Sequence, residues 1–156
     1  MSPSKDDQIR EFRHGNLGRL LTELAGDFQR RAIDALHDLG FDDLRQTHNA
    51  VLIHLGLEGT RASVLAARAG ITRQATGQLV DDLERLGYVE RVPDPNDGRA
   101  KLVKFTGRGR HLMTEGRKAL LSIEAQYRDI LGDGNTEQLR STLQTLAASL
   151  GIEMPH

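Results

Sequence analysis

A change in hydrophobic period after Gly87 constrains the fold of this chain more than any other feature. Before that glycine, apolar residues recur every three or four positions, which is the period of an amphipathic helix. Residues 88–92 and 101–105 are instead short, strand-like runs with β-branched and aromatic side chains. Pro93, Pro95 and Gly98 lie in the polar segment that joins these runs, and such residues favour a turn. The pattern therefore predicts helices interrupted by one β-hairpin with a protruding tip.

The helical spacing predicts six helices, over residues 9–39, 44–55, 62–69, 73–86, 110–131 and 136–150. Gly40, Gly70 and Gly87 each follow one of these segments and supply a stop. Thr72 is expected to cap the fourth helix, because its hydroxyl can accept a free amide hydrogen of the first turn. The residues of that helix expected to face the core are Ala75, Thr76, Leu79, Leu83 and Leu86.

Two helices joined by a tight glycine-containing turn and followed at once by a hairpin are the elements of a winged helix-turn-helix. The expected fold class is therefore mainly α, an α+β winged helix, in a single domain over 1–156. A winged-helix lobe would cover 44–110, and a helical lobe would be built from both chain ends, 8–40 and 111–151. The helix over 62–69 would support the helix from Arg73, which would enter the major groove of DNA.

Composition argues against several classes of protein. The chain has no cysteine, which removes a disulfide framework, a thiolate metal site and a thiol redox switch. No run approaches 18 apolar residues and the start is polar, so we expect no membrane span and no signal peptide, and a cytoplasmic protein. No cluster of His, Asp and Glu has the spacing of a metal site. Without a phosphate-binding glycine loop, a Ser-His-Asp arrangement or a paired-carboxylate cleft, we expect no enzyme.

Positive charge is concentrated in the middle third of the chain. Residues 61–110 carry 10 Lys and Arg against 6 Asp and Glu, a net charge of +4. Residues 1–60 carry 7 against 10, and residues 111–156 carry 4 against 6, so these ends have net charges of −3 and −2. This distribution is expected if the middle third faces a polyanion. A solvated basic face would have the same charge, so charge alone leaves both interpretations open.

The core stripe of the helix from Arg73 leaves a polar face on its other side. Arginine is suited to the two acceptors of guanine and glutamine to the acceptor and donor of adenine, so Arg73, Gln74 and Gln78 are candidates for reading bases. Gly77 leaves a gap where a base edge could come close, although simple tolerance of a glycine would look the same. The carboxylates at 81–82 would repel phosphate, so we expect them to orient an arginine or to face solvent.

The hairpin carries a specific sequence motif. Residues 94–109 read Asp-Pro-Asn-Asp-Gly-Arg-Ala-Lys-Leu-Val-Lys-Phe-Thr-Gly-Arg-Gly. This segment resembles the signature of the MarR family of winged-helix regulators, Asp-Pro-x-Asp-x-Arg followed by a short strand, Leu-Thr and a glycine. Residues 79–91 are similar to the family's recognition helix and its exit into the wing, and earlier segments follow the family's order and spacing. The resemblance covers residues 44–110, and the flanking helices match the family's architecture without sharp motifs.

The resemblance implies a sequence-specific regulator that binds double-stranded DNA, a ligand-responsive repressor. In this family the arginine matching Arg99 reaches into the minor groove, whose negative potential attracts a cationic tip. The aspartate matching Asp97 holds that arginine in place. Gly98 stands where the family often has a second arginine, and Phe105 replaces the usual leucine. Lys101 is expected to supply part of the missing charge.

Arg61 is a third departure from the family pattern. It stands where a helix-capping serine or threonine is common, so either Thr60 caps the helix instead or Arg61 contacts a phosphate. The complete set of predicted DNA contacts is Arg61, Thr72, Arg73, Gln74, Thr76, Gly77, Gln78, Asp97, Arg99 and Lys101.

The three amphipathic end helices exceed what one winged helix can cover, and the resembled family pairs these helices from two subunits. We therefore expect a homodimer that places two recognition helices about one DNA turn apart on a pseudo-palindromic operator. The family often binds small aromatic or phenolic anions between the two lobes, so such an effector is the only small molecule expected. His14, Arg19, His48 and His54 are candidates near that junction.

A winged helix that binds protein rather than DNA is the alternative function. It would favour apolar or acidic residues on the outer face of the helix from Arg73. Arg73, Gln74 and Gln78 occupy that face, which favours DNA.

Overall fold

A computed structural model of the chain describes residues 4–6, 9, 12 and 15–152. The helices of the chain ends are α1 (Leu17–Asp38), α5 (Gly107–Leu131) and α6 (Asp133–Ser149). Between them lie one 3-10 turn (Gln46–His48) and α2 (Asn49–Leu52), β1 (Thr60–Arg61), α3 (Ala62–Ala69), α4 (Arg73–Arg85), β2 (Val89–Asp94) and β3 (Asp97–Phe105). The three strands form one antiparallel sheet in the order β1-β3-β2. The predicted class, mainly helical with a helix-turn-helix and a β wing, is confirmed.

The predicted first helix over 9–39 is wrong as one continuous element. Ile9 and Phe12 are helical, but Asn16 has an extended backbone with ψ 141° and precedes the first residue of α1. The Asn16 side chain accepts a hydrogen bond from the Arg19 amide at 2.8 Å. An asparagine satisfies a free helix amide better as a cap than within a helix, and this explains the break.

The predicted second helix over 44–55 is also shorter than expected. Regular helix begins at Asn49 and ends at Leu52, after one 3-10 turn. The ring Nδ1 of His48 accepts a hydrogen bond from the Arg45 amide at 3.1 Å, which caps that turn. Val51, Leu52 and Leu55 are buried as predicted, whereas Ala50 is only half-buried.

The hairpin is longer, and its turn tighter, than predicted. The strands pair from Val89 opposite Phe105 to Pro93 opposite Lys101, and after a register shift Asp94 lies opposite Asp97, so only two residues form the tip. The two-residue strand β1 was not predicted, because two residues carry no measurable period. This strand pairs with β3 and directly follows Gly59, whose φ is +97°. A Cβ at Gly59 would lie 2.8 Å from Cγ of Lys104, so the close approach of β1 requires a glycine there.

One hydrophobic core joins the helix-turn-helix to the sheet. Its fully buried members include Leu65 of α3, Leu83 of α4 and Val103 of β3. On α4 the buried stripe is Thr76, Val80 and Leu83. Val80 was missing from the predicted stripe. The other residues predicted to face the core are only partly buried: Ala75, Leu79 and Leu86.

The end helices pack on each other but leave much apolar surface open. Ile33 and Leu36 of α1, with Leu112 of α5, extend the core into this part of the molecule. Residues 132–135 were expected to lie between the last two helices. Only Gly132 does, because its φ of +80° ends α5 and α6 starts at the next residue. No residue of α6 is buried in the single chain. None of the helices among the described residues is long and apolar enough to cross a membrane.

Candidate nucleic-acid interface

The turn between α3 and α4 sets the direction of α4. Gly70 ends α3 in the left-handed conformation, with φ +65°. Thr72 then caps α4, since its hydroxyl accepts a hydrogen bond from the Ala75 amide at 3.1 Å. The predicted cap is confirmed. Because its hydroxyl is used in this way, Thr72 contributes to the interface first by fixing where α4 starts.

The outer face of α4 is polar and open. Arg73, Gln74 and Gln78 are exposed, and none of their side chains has a hydrogen bond or ion pair with another described residue. A Cβ built on Gly77 would meet nothing within 4 Å, so that position leaves a clear gap between them. The structure brings these four predicted residues together on one helix face, and their contact with DNA stays a prediction.

Thr76 was predicted as a DNA contact, and the structure contradicts this. The residue is 1% exposed and lies on the buried stripe of α4, one turn before Val80. Its hydroxyl donates a hydrogen bond to the Thr72 carbonyl at 3.0 Å. A side chain with no free surface cannot meet a base edge, so Thr76 belongs to the core.

Two of the three carboxylates of α4, Asp81 and Asp82, pair with arginines, which is one of the two predicted alternatives, and Asp81 is also exposed. Asp81 lies 2.6 Å from the Arg91 guanidinium of β2. Asp82 pairs with Arg45 of the preceding loop and, at 2.7 Å, with Arg85. The hydrogen bond from Arg85 and the charge of Arg45 outweigh burial and lower the pKa of Asp82. The negative charge beside the open face of α4 is thereby compensated.

On the wing, Arg99 and Lys101 project from β3 as exposed cations. Neither forms an ion pair with another residue in the described part of the chain. Asp97 was expected to hold the Arg99 side chain, but its carboxylate accepts the Arg99 backbone amide at 3.2 Å instead. Its ion-pair partner is Arg61, at 3.3 Å. Asp97 therefore orders the backbone of the wing tip and leaves the Arg99 guanidinium free.

Arg61 pairs with the two carboxylates that flank the wing tip. Its Nε and Nη2 lie 2.7 and 2.6 Å from Oδ2 of Asp94, which is 6% exposed. The predicted alternative of a Thr60 cap is wrong, because the Thr60 hydroxyl accepts the Gly56 amide at 3.0 Å and α3 has no side-chain cap. Hydrogen bonds from the Asn96 amide and from Arg61 lower the pKa of Asp94.

A second cluster ties the wing to both chain ends. The Tyr88 hydroxyl donates a hydrogen bond to Asp43 at 2.5 Å and accepts one from Arg108 of α5 at 2.9 Å. Arg108 also reaches Asp43, at 2.7 Å, and its guanidinium lies 4.2 Å from the centre of the Tyr88 ring. These three residues join the loop after α1, the exit of α4 and the start of α5.

Among the described residues, no contact joins Arg19, His48 and His54 into one site. His48 is 1% exposed and lies against Arg45, and burial followed by that charge lowers its pKa. Burial, with the nearby charge of Arg68, also lowers the pKa of His54. Arg19 pairs with the neighbouring Glu23 on α1, and the remaining candidate, residue 14, lies outside the described residues.

A cavity of 490 Å³ instead lies between α1 and α5. Its lining residues are Arg31, Asp34, Ala35, Asp38, Leu39, Lys118, Ala119, Ser122, Ile123 and Gln126. Within the described residues there is no group of three or more His, Cys, Asp or Glu that could hold a metal ion.

Sequence reasoning missed the residues that hold the interface in place. They are Asp43, Arg45, Arg91, Asp94 and Arg108. Each is bound to a residue of another element, and pairs between elements follow no period in the sequence. Asp94 and Arg108 lie within the recognised motif, but the motif alone does not say which residues they contact.

Comparison with known proteins gives concordant matches. Residues 43–100 match a sequence model of the MarR family. A curated relative, the transcriptional activatory protein BadR of Rhodopseudomonas palustris, is 35% identical over 88 residues, which cover 56% of this chain and 49% of that protein. The chain thus spans about half the length of this relative.

Solved structures match over most of the chain. A MarR-family transcriptional regulator from Rhodococcus sp. RHA1 is 30% identical with a TM-score of 0.67, and the match covers 94% of this chain and 96% of that one. CouR from Rhodococcus jostii RHA1, solved bound to p-coumaroyl-CoA, is 31% identical with a TM-score of 0.67 and coverages of 85% and 92%. MarR from E. coli, at 24% identity and a TM-score of 0.69, shares the fold over 85% of this chain and 97% of that one.

Proposed function

Because this chain belongs to the MarR family of transcriptional regulators, we propose that it binds a pseudo-palindromic operator as a homodimer and represses transcription until a small effector releases it. The family consists of regulators and not of enzymes. Helix α4 would read bases in the major groove, and the wing would lie in the adjacent minor groove.

The open face of α4 carries this proposal. The side chains of Arg73, Gln74 and Gln78 are exposed and unpaired among the described residues, while the neighbouring carboxylates pair with arginines. Arginine and glutamine have the donor and acceptor geometry that distinguishes guanine and adenine in the major groove. A face that bound an apolar protein partner would instead present apolar side chains, so the side chains of α4 favour DNA.

The apolar surface of the end helices supports a homodimer. Its exposed members on α1 are Leu17, Leu20, Leu21 and Leu24, and those on and after α6 are Leu139, Leu143, Leu146 and Leu150. Exposed apolar side chains in such number on helix faces are typical of a protein interface. In a two-fold dimer these surfaces would face their own copies and would set the spacing of the two α4 helices.

The cavity between α1 and α5 is the site that we propose for the effector. Its volume of 490 Å³ lies in the range of small-molecule sites. The lining has two cations, Arg31 and Lys118, which would contact an anionic group, and two carboxylates, Asp34 and Asp38, whereas Ala35, Ala119 and Ile123 would contact an apolar ring. CouR was solved bound to p-coumaroyl-CoA, which carries a phenolic ring of the expected kind on a much larger anionic CoA group. Unfolding temperatures measured with p-coumarate and with its CoA thioester test this site, and Lys118→Ala should reduce any shift.

Activation is the second candidate outcome of DNA binding, because the relative BadR is a transcriptional activatory protein. A reporter driven by the selected operator distinguishes the two. Repression predicts that deletion of this chain raises reporter output, and activation predicts that deletion lowers it.

DNA binding is tested by selecting duplexes from a random pool with the purified chain. Affinities for the selected and for a scrambled duplex are then compared over a series of salt concentrations. A preference of about 10³ or more, with steep salt dependence, is expected for a specific regulator. Selection that yields no common sequence would contradict the proposal and would favour a winged helix that binds protein.

A further inference from the structure

Arg61 adds a side-chain contact at the wing tip to the shared core and the Arg91 ion pair, which already join the helix-turn-helix to the sheet. Its backbone lies at the end of β1, directly before α3, the first helix of the helix-turn-helix. Its guanidinium crosses to the wing and lies between Asp94 and Asp97, the paired residues that flank the two-residue tip. The side chain therefore bridges the helix-turn-helix and the tip of the hairpin.

The two carboxylates that bind Arg61 also accept hydrogen bonds from the backbone of the tip. While Oδ2 of Asp94 binds Arg61, its Oδ1 accepts the Asn96 amide at 2.9 Å. While Oδ2 of Asp97 faces Arg61, its Oδ1 accepts the Arg99 amide at 3.2 Å. An unbroken series of polar contacts therefore runs from the start of α3 to the backbone of the exposed wing arginine.

We propose that Arg61 is a positioning residue, which fixes the wing tip relative to α3 and α4 and so directs Arg99 into the minor groove without contacting DNA itself. This inference rests on the proposed function, because it assigns a role within DNA binding.

The chemistry of the contact requires arginine. A planar guanidinium presents several N–H groups in fixed directions, so one side chain can hold two carboxylates at once. A lysine carries the same charge, but its ammonium group does not present N–H groups in fixed, coplanar directions. Asp94 is almost fully buried, so loss of its partner would leave its carboxylate without a cation to compensate its charge. The phosphate contact considered from the sequence would instead need the guanidinium to be available to DNA.

A double-mutant cycle separates positioning from direct contact. Arg61→Ala is measured in the wild-type chain and in a wing-silenced background that carries Arg99→Ala and Lys101→Ala. If Arg61 acts through the wing, its replacement weakens binding in the wild-type chain and has little further effect in the background. We expect a coupling of about tenfold in affinity, within the range for residues in one hydrogen-bonded network. The contrary result is that Arg61→Ala lowers affinity by the same factor in both backgrounds and reduces the salt slope in both. Arg61 would then contact phosphate, and the proposal would be wrong.

Two further variants make the result independent of net charge. Arg61→Lys keeps the cation, so a phosphate contact predicts near wild-type affinity, whereas positioning predicts a loss close to that of Arg61→Ala. Asp94→Asn removes a negative charge near the DNA, which by itself would strengthen binding. The proposal predicts that Asp94→Asn weakens binding instead, because Arg61 loses its main partner.

A measurement on the free protein tests the clamp without DNA. Amide hydrogen exchange followed by NMR should be faster at Asn96 and Arg99 in Arg61→Ala than in the wild-type chain, because both amides donate to the two aspartates. Unchanged exchange at both amides would contradict the positioning role. If the wild-type chain selects no DNA sequence, the proposed function is wrong, while this exchange experiment still decides whether Arg61 orders the wing.

Arg30→Ala is the matched control. Arg30 lies on α1, is exposed and pairs with Asp27 at 3.6 Å, so its loss changes the net charge equally and leaves the wing untouched. The circular dichroism spectrum of every variant is compared with that of the wild-type chain, at a temperature where the variant is fully folded. An Arg30→Ala effect as large as that of Arg61→Ala would contradict the proposal, because the loss would then report only charge.

Discussion

At the scale of single residues, Gln78 and Arg99 are expected to meet different parts of a duplex. Gln78 lies on the open face of α4, where an amide can distinguish base pairs, and Arg99 projects from the wing. Gln78→Ala should cost about 1–3 kcal/mol of discrimination at one base pair. Arg99→Ala should weaken binding to all duplexes and reduce the salt slope by about one. Titrations of a selected duplex, its single-base variants and a random duplex measure both effects, and identical effects would contradict the division of roles.

Gly109, in the first turn of α5, lies too close to the start of the wing to accept a side chain. A Cβ there would be 2.0 Å from the Tyr88 carbonyl oxygen and 2.9 Å from the Phe105 ring. Gly109→Ala should therefore lower the free energy of unfolding by about 1–3 kcal/mol, as in other overpacked cores. Gly107→Ala, in the same turn, meets nothing within 4 Å and should be close to neutral. Urea unfolding compares the two, and equal midpoints would refute the clash.

At the scale of elements, Tyr88 joins three segments that approach the interface from different directions. Its hydroxyl binds Asp43 and Arg108, whereas its ring is buried in the core. Tyr88→Phe keeps the ring and removes both hydrogen bonds, so it should lower the free energy of unfolding by about 1–2 kcal/mol. Tyr127→Phe, on α5, is the control, because no hydrogen bond of the Tyr127 hydroxyl is found among the described residues. Thermal unfolding that did not distinguish the two variants would count against a stabilising role of this cluster.

The same cluster predicts a pH dependence of stability. Burial raises the pKa of the Asp43 carboxyl, but hydrogen bonds from Tyr88 and Arg108 outweigh it, so its pKa lies below the usual 3.8. A pKa lowered by folding means that Asp43 stabilises the fold above the unfolded pKa and that this contribution is lost as pH falls through the folded pKa. The stability difference between the wild-type chain and Asp43→Asn should be largest near neutral pH and shrink below about pH 4.

Urea unfolding at several pH values between 7 and 3 measures this difference. Asp42→Asn serves as the control, because Asp42 is the exposed neighbour of Asp43. A stability difference for Asp43→Asn that stayed constant with pH would contradict the assignment.

At the scale of the whole molecule, the single chain leaves α6 without any buried residue. Leu143 and Leu146 are among the exposed leucines of this helix, and a second copy is the proposed cover. Replacement of both by glutamate should shift the chain from dimer to monomer at micromolar concentration, because unpaired charges would have to enter an apolar interface. Sedimentation velocity measures the shift. Leu57→Glu, at an exposed leucine of the loop before β1, should leave the mass unchanged, and a monomeric wild-type chain would contradict the proposed assembly.

Local sequence signals determined much of this fold. The helix-turn-helix, the hairpin and the Thr72 cap were all predicted, because hydrophobic period, turn residues and capping act within a few positions along the chain. The open face of α4 followed in the same way, since it is the side opposite the core stripe. The break at Asn16 also had a local signal, an asparagine suited to capping, but the continuous apolar stripe masked it.

Only the tertiary structure decided which charged groups meet. Arg61 was expected at a phosphate and lies on two wing carboxylates, and Asp97 was expected at the Arg99 guanidinium and binds its backbone amide. Asp43 and Arg108 are 65 positions apart and share no pattern in the sequence. Periodicity reports which face of an element is buried, whereas an ion pair depends on the direction and separation of side chains from different elements. Those quantities exist only once the elements have packed, and they position the wing and the open face of α4.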